Sequence, residues 1–124
     1  MYVKSIGLAL AVGLGVVLGS AAIEARAAGA IAVDDEDGVA AKDIGYGVGS
    51  GSTRDEAGKN ALAECKSAGN GNCHIAVRYD QCGAYAASSS NYGVGWGPTL
   101  KIAESKAKEA CGAGCGIAVS DCDE

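Results

Sequence analysis

The residues with the most chemistry to offer are six cysteines, Cys65, Cys73, Cys82, Cys111, Cys115 and Cys122, and a single histidine, His74. Cysteine supports three kinds of chemistry: attack by a thiolate, tetrahedral metal binding, and disulfide formation. A cysteine nucleophile needs a free thiolate and a base brought close to it in space. His74 adjoins Cys73 in sequence, and neighbouring residues on a strand point to opposite faces, so His74 reads as a surface or rim residue. The spacings are C-x7-C-x8-C and C-x3-C-x6-C, without the paired CxxC knuckles of a zinc site. No metal and no cofactor is expected, which leaves disulfides as the reading of the cysteines.

The acidic run Asp34-Asp35-Glu36-Asp37-Gly38 invites a calcium reading. A calcium loop needs Asp at its first position, Gly at its sixth and Glu at its twelfth. With Gly38 at the sixth, the two ends are Val33 and Ile44, so the motif fails. Asp37-Gly38 is instead a hairpin-turn signal, and the acidic run is a candidate contact for a basic partner. Gly58-Lys59 lacks both the leading glycine and the following hydroxyl residue of a phosphate loop. The run GYGVGSG lacks the spacing of a dinucleotide fingerprint. Nothing picks out a pair of carboxylates for acid–base work, so no catalytic residue is assigned.

These residues sit in a chain that repeats itself. GAIA at 29–32 returns as GAYA at 83–86, GYGVGSGST at 45–53 as NYGVGWGPT at 91–99, and CHIAV at 73–77 as CGIAV at 115–119. From Tyr46/Tyr92 to Cys65/Cys111 the offset is a constant 46, against 54 for GAIA/GAYA, which marks an eight-residue insertion around 34–43. Each copy reads as strand, strand, helix, strand. The second strand alternates glycine with Tyr46, Val48 and Ser50, then with Tyr92, Val94 and Trp96, so one face is nearly bare backbone. Bare glycine in a strand marks the close approach of other backbone. The repeat's own helix is the element to expect there, because Ala57, Ala61 and Cys65, and again Ala103, Ala107 and Cys111, each fall on one helical face. Thr53 with Glu56, and Thr99 alone, are the N-cap signals. Gly58 weakens the first helix by about 1 kcal/mol relative to alanine. Glu104 and Lys108 are spaced for a surface pair. Tyr46, Tyr92 and Trp96 are candidates for an aromatic binding face, but in a chain this poor in large apolar residues they are expected mainly to fill the core.

Six cysteines can pair in many ways, and spacing alone does not choose. The duplication favours a local bridge in each copy, Cys65–Cys73 and Cys111–Cys115. Cys82 and Cys122, the closing cysteines, would then join the two copies.

The N-terminus carries Lys4, an uncharged run from Ile6 to Ile23, and Ala25-Arg26-Ala27, a small-x-small cleavage pattern. Residues 1–27 are therefore read as a signal peptide, cut between Ala27 and Ala28, and residues 28–124 as one mature domain (repeat one 29–82, repeat two 83–122). The mature part keeps 8 basic and 14 acidic side chains and 13 Ile, Leu or Val residues. An acidic domain without a basic cluster is a poor ligand for nucleic acid and for anionic lipid, so neither is expected as a partner. A core this thin needs covalent support, and an exported protein meets an oxidising compartment.

Gly29-Ala30-Ile31-Ala32, Cys65, Cys73, Cys82-Gly83-Ala84, Trp96-Gly97-Pro98-Thr99 and Cys111, taken in order, resemble the family called domain of unknown function 4189, small secreted or periplasmic proteins. The resemblance runs from Gly29 to Cys122. It departs at the acidic insertion 34–43 and in the few aromatics of the third strands. It implies export and a two-copy disulfide fold, and transfers no catalytic residue.

The expected fold is α+β: two pseudo-symmetric ββαβ repeats, mainly antiparallel sheet with two helices, stapled by disulfides. The expected function is that of a secreted or periplasmic, non-enzymatic binding protein acting by protein–protein contact, for example an inhibitor or immunity protein. Asp34, Asp35, Glu36, Asp37, Tyr46, Tyr92 and Trp96 are the candidate contacts. The alternatives are a thiol-based enzyme or redox protein of the envelope, and a passive envelope component.

Overall fold

The computed structural model describes residues 28–35 and 40–123. The expected leader at 1–27, and Glu36, Asp37 and Gly38 of the acidic turn, lie outside the described residues. The elements run β1 (Ala28–Asp34), a single 3-10 turn (Ala41–Asp43), β2 (Gly45–Gly51), α1 (Arg54–Ser67), β3 (His74–Tyr79), β4 (Cys82–Ala87), β5 (Tyr92–Gly97), α2 (Leu100–Cys111) and β6 (Gly116–Cys122). Two three-stranded antiparallel sheets form, with strand orders β2-β1-β3 and β5-β4-β6. The fold is α+β, and both halves follow the order strand, strand, helix, strand.

Alternation along the strands builds four layers, helix, sheet, sheet, helix. On β1, Ala28, Ala30 and Ala32 face α1, and with Ala57, Ala61 and Cys65 they form one small-residue cluster. Ala84 and Ala86 of β4 meet Ala103, Ala107 and Cys111 of α2 in the same manner. The opposite faces of the sheets meet each other: Ile31, Val33, Val77 and Tyr79 of the first pack with Tyr85, Ala87 and Val119 of the second.

The helices lie almost on the strand backbone. A methyl at Gly47 would strike the backbone nitrogen of Cys65, and one at Gly49 the nitrogen of Ala61. Gly93 and Gly95 meet the backbone of Cys111, Ala107 and Ala103. The bare glycine faces expected from the sequence thus seat the alanine faces of the helices. Each helix starts at a threonine whose hydroxyl accepts the N–H three residues on, Glu56 for Thr53 and Ile102 for Thr99, both at 3.1 Å. The Glu56 carboxylate reaches one residue further back than a capping box does, accepting from the Ser52 backbone N–H at 2.8 Å. Gly58 does not break α1; the guanidinium of Arg78 lies across it, where a side chain would stand. Glu104, expected to pair with Lys108, accepts the Ser120 hydroxyl at 2.6 Å.

Three disulfides form: Cys65–Cys73, Cys111–Cys115 and Cys82–Cys122. The first two tie each helix end to the approach of the next strand. The third does not join the two halves. Cys82 is the first residue of β4 and the register partner of Cys122 on β6, so this bond closes the second sheet on itself.

The aromatic residues divide differently from the expectation. Tyr46, Tyr92 and Trp96 are 46%, 65% and 56% exposed and do not fill the core. They stand on β2 and β5, which are edge strands, and of those inward-facing residues only Val48 and Val94 border the core. Tyr79 and Tyr85 take the central volume instead. The Tyr79 ring lies where methyl groups at Gly29 and Gly83 would stand, between the first strands of the two sheets.

Candidate functional site

At one end of the sandwich, three polar groups converge from three strands. Asp35 follows directly on β1, His74 opens β3, and Tyr85 lies mid-strand in β4. Asp35 Oδ1 lies 2.9 Å from Nε2 of His74, and Oδ2 accepts the phenolic O–H of Tyr85. A single carboxylate thereby ties the first sheet to the second. A bulge between Ile31 and Ala32 sets His74 opposite Val33 in the register. Tyr46 faces Val33 from the other side.

Tyr85 also stacks on Tyr92, with ring centroids 5.9 Å apart and planes 15° from parallel. Beside this stack is a recess of about 110 Å³, lined by Asp35, Ile44, Tyr85, Ala87, Tyr92 and the loop 88–91. That loop has a fixed shape: the Ser88 hydroxyl accepts the N–H groups of Ser90 and Asn91, and the Ser88 N–H donates to the Asn91 carbonyl at 2.8 Å.

The electrostatics follow from the bonds. Partial burial pushes the Asp35 carboxyl upward, but the hydrogen bonds from Tyr85 and His74 and the His74 charge outweigh it, and the group sits below the ordinary aspartate value. Burial, reinforced by the bond to Asp35, raises Tyr85 well above an ordinary phenol. The site therefore holds an ionised carboxylate beside a protonated phenol near neutral pH. Neither group is poised to exchange a proton there. Such a site can hold a positively charged group.

Of the residues singled out in the sequence, Asp35 and Tyr92 meet at the recess. Asp34 is half-exposed and accepts the Asn72 backbone N–H at 3.1 Å. Trp96 lies on the same side of β5 as Tyr92, four residues along, and Tyr46 stands on the other sheet. Sequence reasoning missed Tyr85 and the partner of His74. One signal for Tyr85 was present: GAYA sets a tyrosine where GAIA has Ile31, and a buried phenol needs a hydrogen-bond partner. The six cysteines are all in disulfides, so no thiol is free. Among the described residues, no three His, Cys, Asp or Glu side chains cluster as metal ligands, and no helix is long and apolar enough to cross a membrane.

No curated protein and no solved structure matches this chain. The family model described as Domain of unknown function (DUF4189) matches residues 23–122, most of the chain, so the protein belongs to that family.

Proposed function

We propose that the protein is exported, to the periplasm or the medium, and acts there as a non-enzymatic binding protein through contact with another protein. Inhibition of an enzyme that attacks the envelope is one concrete form of this role. The observation that carries the reading is the uncovered part of the sheet-facing side of β5, at the edge of the second sheet. Tyr92 and Trp96 project from the same side of one edge strand and are more than half exposed in a chain whose aromatics are few. Exposed aromatics on a rigid frame are typical interface anchors, since they contribute large contact area and lose little entropy on binding. Three disulfides keep that frame rigid before binding.

The test uses the exported protein itself. Intact mass is measured first, with and without reductant; a chain beginning at Ala28 with six protected cysteines is the expected result. Capture from envelope and culture fractions then compares the native chain with the Tyr92→Ser/Trp96→Ser double variant. Trp96 is the only tryptophan, so its emission reports burial directly. A blue shift on binding, and loss of capture in the double variant, support the reading. Capture that ignores both substitutions sinks it.

A further inference from the structure

We propose that the recess between Asp35, Tyr85 and Tyr92 is a binding site for an alkylammonium group, the end of a lysine side chain presented by the partner. The inference rests on the protein-contact reading and names the chemistry of one contact in it. Four observations support it.

The first is charge. Among the described residues, the lining of the recess has one ionised carboxylate and no lysine or arginine, in a chain with a net charge of −5. The second is the aromatic wall. Tyr92 covers one ring face with Tyr85 and leaves most of its remaining surface open, and aromatic faces attract cations through their quadrupole. The third is acceptor supply. The Asp35 carboxylate supplies acceptor oxygens, and the serine and asparagine residues of loop 88–91 add polar atoms at the rim. The fourth is size. A recess of about 110 Å³ admits an ammonium head and a few methylene groups but no bulky side chain. Ile44 and Ala87 provide the apolar contact that those methylenes need.

Among the described residues, His74 competes for Asp35. It shares Asp35 through the opposite oxygen, and when protonated it neutralises part of the carboxylate that the ligand needs.

The test is a titration of the mature protein with butylammonium, followed through backbone amide shifts at constant ionic strength, with 1-butanol as the uncharged counterpart. Saturable shifts confined to Asp35, Tyr85 and 88–92 are expected, with 1-butanol about fivefold weaker or worse. Asp35→Asn, which keeps the shape and removes the charge, and Tyr92→Leu, which keeps bulk and removes the ring, should each weaken binding about fivefold. Tyr92 is exposed, so its variant decides the matter even where Asp35→Asn fails to fold. Equal response to 1-butanol, shifts spread over the acidic surface, or unchanged binding in the Tyr92 variant would overturn the proposal. Loss of the ammonium response with partner capture intact sinks this inference alone. No capture by the native chain, with its ammonium response intact, sinks the contact reading alone.

Discussion

Tyr79 of β3 donates its phenolic proton to Asp121 of β6 across 2.8 Å, so a side chain from the first sheet ends on a carboxylate of the second. The ring between them is almost completely buried and fills the room left by Gly29 and Gly83. Ring and hydroxyl therefore stabilise the sandwich separately. Tyr79→Phe keeps the ring and deletes the bond, and should cost about 1.5 kcal/mol, the usual range for a hydrogen bond to a charged group. Urea unfolding at pH 7 measures it. A change near zero would mean that water replaces the phenol at Asp121 without loss.

The same phenols give the fold an alkaline limit. Burial first, and then the hydrogen-bonded aspartates Asp121 and Asp35, raise Tyr79 and Tyr85 far above an ordinary phenol. In the unfolded chain both titrate near 10. A raised folded value means that the stabilisation is complete below about pH 10 and drains away as pH rises beyond it. The melting temperature of the native chain should thus fall steeply above about pH 10, and less steeply in Tyr79→Phe or Tyr85→Phe. Parallel curves for all three would show that the phenols ionise in place.

Close helix seating makes some glycines irreplaceable and leaves others free. At Gly49 a methyl would meet the backbone of Ala61, which cannot move without displacing α1. Gly49→Ala should destabilise by about 3 kcal/mol or more, at the upper end of overpacking costs. At Gly71 no atom lies within 4 Å of the added carbon, and Gly71→Ala should be nearly neutral. Denaturant midpoints of the two variants, side by side, separate packing from any general cost of losing glycine.

How much of this was legible in the sequence depends on the range of the interaction. The glycine alternation at 45–51 and 93–97 identified the helix-bearing faces, because a period of two and a helical spacing of four are both local signals. The cysteine pairs followed from the order of elements in the repeats. The same alternation could not say which inward residues are covered. That depends on how far one sheet overlaps the other, and it is why Tyr79 and Tyr85 are buried while Tyr46, Tyr92 and Trp96 are not. The Asp35–His74 contact spans 39 positions and needs the bulge at Ile31/Ala32, and neither leaves a mark in spacing. Cys82 was read as the end of one copy because the repeat closes on a cysteine; the register shows that it begins β4.

Asp35 should make the fold sensitive to acid. Its folded value lies below the ordinary aspartate value, since the bonds from Tyr85 and His74 outweigh the upward push of burial. A depressed carboxylate contributes stability that is present above about pH 4 and is lost as pH falls through the folded value. Melting temperatures taken between neutral pH and about pH 3 should therefore drop more for the native chain than for Asp35→Asn. Equal drops would assign the acid loss to other carboxylates.

The two kinds of disulfide should differ in worth. Cys82–Cys122 closes a separation of 40 residues, and Cys111–Cys115 only 4. In the chain-entropy account, a tenfold longer loop constrains the unfolded chain by about 2 kcal/mol more. Replacing Cys82 and Cys122 together by alanine should then cost about 2 kcal/mol more than replacing Cys111 and Cys115. Cys82 and Cys122 are also direct partners across β4 and β6, so their loss frees the end of an edge strand as well. Hydrogen exchange reads that second effect: amides of β6 near Cys122 should lose protection in the Cys82/Cys122 variant, while those of α2 keep it. Equal stabilities for the two variants would mean that the entropy of the unfolded chain is not what the long bond restrains.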